Sequence, residues 1–136
     1  MTIKINDSIS LKEINDLFIC SYPFLKLEFY HHTHLNEQES LPSDLYSKNL
    51  LVGEVSKIHF NGNLKLHYWQ KTGAIEQEFR SKAGLNVQIF RKNADAWVQT
   101  VGTDELTLEE QNENGMKTTE DNLHGTNRTF EREKKL

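Results

Sequence analysis

One arrangement of apolar residues occurs twice in this chain of 136 residues, and that duplication limits its possible folds more than any other feature. Ile3 and Ile5 are matched by Leu64 and Leu66, and Ile14 and Phe18 by Ile75 and Phe79, at an offset of 61. Leu25, Leu27 and Phe29 are matched by Leu85, Val87 and Ile89 at an offset of 60. Strict alternation marks a half-buried strand, and spacing by three and four marks a helix face. Residues 3–30 and 64–91 therefore each read as strand, helix, strand, and self-similarity at a fixed period is the signature of a repeated unit. Two such units predict an α+β fold, a ferredoxin-like antiparallel sheet with helices on one face. An extra C-terminal strand and a short helix extend it.

Local signals place the elements. Ser10 and Glu13 form a capping box at the start of the first helix, and Pro23 ends it by pushing its predecessor out of helical geometry. Ile58 and Phe60, then Asn61-Gly62-Asn63, then Leu64, Leu66 and Tyr68 predict a hairpin, because Asn-Gly accepts the positive φ of a tight reversal. A second helix is expected from about Gly73 to Ala83, with Thr72 as its cap and Gly84 just past its end. Asn93 to Asp95 turns the chain into AWVQTV. Thr107 and Glu110 cap a third helix, which Gly115 is expected to stop. Residues 31–49 are read as a partly ordered loop. After Gly115 the only hydrophobic residues are Met116, Leu123, Phe130 and Leu136. Residues 1–115 are thus expected to form one domain and 116–136 a flexible polar tail.

Composition excludes several function classes. Sixteen basic and twenty acidic residues give a net charge of −4, with no block of basic residues to neutralise phosphates, so no nucleic-acid partner is expected. Cys20 is the only cysteine, which rules out an intramolecular disulfide, a CxxC redox pair and a thiolate zinc cage within one chain. No apolar stretch is long enough for a signal sequence or a membrane span, and a cytoplasmic protein with no membrane partner is the expectation.

Candidate chemistry is sparse. His31, His32 and His34 are the one cluster with metal-ligand character, and His32 and His34 share a side if the strand continues. No carboxylate or distant histidine pair completes a site, so these are weak candidates and no metal is assigned. Cys20 reads as a partly buried small hydrophobe. The glycines form no phosphate-cradling motif, and the carboxylates have cap or solvent-face roles. No catalytic residue and no cofactor are assigned. Strand alternation instead places Phe24, Tyr30, Trp69 and Phe90 on the sheet face opposite the helices, where uncovered aromatics leave an apolar patch. The expected function is a non-enzymatic interaction or self-associating module, with a protein partner or a homodimer covering those four. A small-ligand or metal-responsive regulatory domain is the alternative, and a small enzyme using the 31–49 loop a more distant one.

The block GLNVQIFRK, followed by Trp97, Thr100, Thr103-Asp104 and TLEEQN, resembles a segment shared by a small family of conserved proteins from Bacteroidetes-type bacteria with no assigned activity. The resemblance covers roughly residues 50–115. It implies a coherent fold and carries no catalytic residue with it.

Overall fold

In Thr2–Ile5 (β1) the side chains alternate exposed and buried, with Ile3 and Ile5 fully enclosed. Ser10 then starts the helix Leu11–Ser21 (α1), its Oγ accepting from the Glu13 N–H at 3.1 Å. The computed structural model describes residues 1–32 and 40–123. The remaining elements are Leu25–Tyr30 (β2), Val52–Val55 (α2), Gly62–Lys65 (β3), Thr72–Ala83 (α3), Asn86–Asn93 (β4), Ala96–Gln99 (β5) and Leu108–Leu123 (α4). Short 3-10 turns occupy Pro42–Asp44 and Val101–Thr103. Among the described residues no helix is long and apolar enough to cross a membrane.

The strands form two antiparallel sheets, one of β1 and β3 and one ordered β2-β4-β5. This corrects the ferredoxin-like expectation of a single four-stranded sheet. Each strand of the first unit pairs with its own counterpart in the second: Ile3 lies opposite Leu64, and Leu27 opposite Ile89. Alternation dictates which face a strand buries and is silent on which strand lies beside it, so this pairing satisfies the same pattern. Ile3, Ile5, Leu64 and Leu66 share one core cluster with Phe18, Phe79, Leu27 and Ile89.

Backbone hydrogen bonds recur between the two halves well beyond the strands and helices. In the first, Leu11 N–H donates to Leu50 O, Lys12 to Lys48 O, Val52 to Ile9 O and Gly53 to Asp7 O. In the second, Thr72 donates to Leu106 O, Gly73 to Asp104 O, Leu108 to Gln70 O and Glu109 to Tyr68 O. Each half thus brings a later segment back to its helix N-terminus and starts a new helix there. The first of these, α2, ends after one turn, where Ser56 N–H caps Val52 O and Ser56 Oγ donates to Ala83 O. The second, α4, runs on to Leu123.

Gly115 therefore does not stop the third helix. It lies inside α4, where an added Cβ would come within 2.8 Å of Phe24 Cβ, so the glycine permits the close crossing of helix and strand end. Residues 116–123, expected as tail, are helical, and Thr118 Oγ1 donates to Lys92 O. Residues 124–136 lie outside the described residues.

The hairpin expected at Asn61-Gly62 is also corrected. Residues 57–61 form no strand, and β3 takes β1 as its partner. Gly62 matters for another reason: a Cβ there would meet Phe60 Cζ at 2.8 Å. The hairpin that does form joins β4 to β5, with Asn93 opposite Ala96 and Ala94 at a φ of 56°. Gly84 ends α3 at a φ of 66°, as its position predicts.

Candidate interaction surface

Strand alternation puts Leu25, Leu27, Phe29, Val87 and Ile89 into the core and turns Lys26, Glu28, Tyr30, Gln88, Phe90 and Lys92 to the other face of the three-stranded sheet. The two-residue turn at Ala94 and Asp95 fixes the register of β5, which places Trp97 beside Lys92 and Gln99 beside Phe90 on that same face. This outer face has two unlike halves.

One half is covered by the chain itself. Leu45 bridges Tyr30, and Tyr46 N–H donates to Phe29 O. Gln99 clasps the Ser40 backbone with both ends of its amide, accepting from Ser40 N–H at 2.8 Å and donating to Ser40 O at 2.9 Å. Lys48 pairs with buried Glu28, which Lys26 also approaches at 3.4 Å. Burial, with Glu28 nearby, pushes the Tyr30 hydroxyl up to about 12, so it stays neutral.

The other half is an aromatic and cationic cluster. The Lys26 ammonium stands 5.3 Å from the Phe90 ring centre and 5.0 Å from that of Trp97, and Lys92 stands 5.1 Å from Trp97 on its own account. Such contacts favour a cation over an aromatic face and hold both rings in place. Phe90, Trp97, Lys26 and Lys92 are all half-buried. They lie next to β5, which has no neighbouring strand on its far side among the described residues.

The four aromatics expected to share one patch are dispersed. Phe90 is in the cluster and Tyr30 is buried, with Leu45 bridging it at the edge of β2. Phe24 sits in the turn before β2, its N–H donating to Asn112 Oδ1 of α4. Trp69 is not on the sheet, because β3 ends at Lys65; it is 60% exposed in the following loop and stacks on His67 at 5.0 Å. Tyr68, read with Leu64 and Leu66 as one strand, is 59% exposed in the same loop. Lys26, Lys92 and Trp97 were missed as site residues. The Asn93–Asp95 turn was the signal that could have found them, since it sets Trp97 opposite Lys92.

The histidines do not converge. His31 stacks on Tyr46 at 3.7 Å, His32 Nδ1 lies 3.1 Å from Asp44 Oδ1, and His34 is outside the described residues. Among the described residues no group of three or more His, Cys, Asp or Glu is placed to hold a metal ion. Cys20 is exposed. A shallow open cleft of about 490 Å³ lies between Lys4, Asp7, Ser8 and His59, where His59 Nδ1 is 2.9 Å from Asp7 Oδ2.

One strongly perturbed carboxylate is Glu76 on α3. Burial pushes it up to about 8, an effect that Asp104 reinforces and that the Ile89 N–H, donating to Oε2 at 2.8 Å, opposes together with Arg80. Its bond spans α3 and β4 within the core, which makes it a structural group. Comparison with protein-family models, with curated proteins and with solved structures finds no match for the chain.

Proposed function

We propose that this chain is a non-enzymatic protein-interaction module, and that it binds through the uncovered half of the outer sheet face beside β5. The observation that carries this reading is the pair of aromatics, Phe90 and Trp97, held under two lysine ammoniums at a sheet edge with no strand beyond it among the described residues. Aromatic anchors surrounded by charged rims are the usual content of binding hot spots. Sheet edges are ready templates for another chain.

Affinity capture from extracts of the native cell tests it, with wild type beside Trp97→Ala and Phe90→Ala. The expected result is a saturably retained protein that both variants lose while melting within a few degrees of wild type. Equal retention by wild type and variants, or loss of retention only in variants at His59 and Asp7, would instead favour a small-ligand module using the open cleft.

A further inference from the structure

Antiparallel ladders alternate between pairs that exchange hydrogen bonds and pairs whose backbone groups point away from each other. Thr100 N–H donates to Ile89 O, which sets the phase of the β4–β5 ladder. Counting back along the register, Arg91 with Val98 and Asn93 with Ala96 are the bonded pairs. Trp97 and Gln99 therefore direct their N–H and C=O groups outward, to the side of β5 that no described strand occupies. The same Trp97 lays its ring on the outer face under Lys26 and Lys92. An edge with two outward donor and acceptor sets thus adjoins an aromatic ring and two ammonium groups.

Charge decides what fits there. Among the described residues the outer face carries Lys26, Lys48 and Lys92 against Glu28, although the chain as a whole carries −4. A second copy docked by β5 against β5 would bring two such lysine sets together across the two-fold axis, which like-charge repulsion disfavours. An acidic strand meets no such penalty. Resting on the interaction reading above, we infer that β5 takes an extended acidic peptide segment of a partner protein by strand addition. The added strand bonds the outward groups of Trp97 and Gln99. Its carboxylates on the outer face, two residues apart, meet Lys92 and Lys26, and an apolar stem covers the edge of Trp97.

The test uses the full chain and two end-blocked octapeptides, one alternating Glu with Val and one alternating Lys with Val. Strand addition predicts saturable binding of the Glu-Val peptide that weakens with salt, no binding of the Lys-Val peptide, and slowed amide exchange at Trp97 and Gln99. Lys26→Gln with Lys92→Gln, checked for an unchanged melt, should weaken binding about tenfold, the loss of two exposed ion pairs. Equal or absent binding of the two peptides, or protection at other amides, overturns the acidic strand. Concentration-dependent protection of Trp97 and Gln99 with no peptide present also overturns it, and makes a second copy the occupant. If the peptide result fails while Trp97→Ala still abolishes capture, the interaction surface stands and only the acidic-strand inference falls.

Discussion

At corresponding places in the two halves, α1 offers Asn15 to the Leu27 N–H at 2.8 Å, and α3 offers Glu76 to the Ile89 N–H at 2.8 Å. The two acceptors are 61 residues apart, and Leu27 and Ile89 face each other across the β2–β4 ladder. Each strand N–H would otherwise be buried without a partner, which costs about 1 to 3 kcal/mol. The neutral amide meets that need at any pH. The carboxyl meets it while buried, and burial favours its protonated form. A second contrast is at the returning segments. Leu51 N–H donates to Glu54 and Thr107 N–H to Glu110, the same helix-starting bond in each half. Yet α2 has four residues and stops at Ser56, whose hydroxyl donates to Ala83 O, whereas α4 has sixteen and packs along the other half through Asn112 and Gly115 on Phe24. A common backbone scheme thus carries two different finishes, one pH-indifferent and short, the other pH-sensitive and clamped.

The largest expected effect bears on what the halves share. Phe18 and Phe79, matched at the offset of 61, are both fully buried in one cluster. Phe18→Ala and Phe79→Ala should each cost about 3 to 5 kcal/mol in denaturant melts. Losses differing by more than about 2 kcal/mol, the spread that identical truncations show within one core, would break the equivalence.

Exchanging the two acceptors comes next. Glu76 has a folded pKa raised from 4.5 to about 8, so the native state holds a proton that the unfolded state releases across that range. Its contribution is complete below about 4.5 and is lost as pH rises to about 8, so stability should fall over that window. Glu76→Gln keeps an oxygen for Ile89 N–H and should remove the fall, gaining up to about 4 kcal/mol at pH 8. Asn15→Asp should add a similar fall through the first half. Urea melts at pH 5, 6.5 and 8 measure both, and a Glu76→Gln profile with the wild-type slope would show that another group carries it.

The smallest effect concerns the clamp. Gly115→Ala forces a methyl against Phe24, and the overpacking should cost about 1 to 2 kcal/mol. Gly102, with no atom within 4 Å of an added Cβ, serves as the control and should change little on Gly102→Ala. Hydrogen exchange should show the loss concentrated at the Phe24 and Lys92 amides. Uniform loosening of both halves would mean that α4 is not a local clamp.

Local chemistry made much of this legible. Ser10 with Glu13, Thr107 with Glu110 and Gly84 announce helix boundaries because each satisfies an orphan backbone group within a few residues. The candidate site was legible in one part, Phe90. Trp69 misled because alternation was carried beyond Lys65, where β3 ends, and nothing in residues 66–69 announces that end. The lysines escaped notice because a cation over an aromatic ring is a cross-strand relation, visible only with the β4–β5 register in hand.

By itself, then, the sequence determined the buried faces, the doubled order of elements and most helix starts, since these rest on periods and caps spanning a handful of residues. Tertiary structure alone decided that β1 chooses β3 and β2 chooses β4, because several pairings bury the same faces and only the closed core selects among them. It also decided the meaning of Gly115. A glycine signals backbone freedom or close approach alike, and the Phe24 side chain 2.8 Å from its missing Cβ belongs to a segment ninety-one residues earlier in the chain.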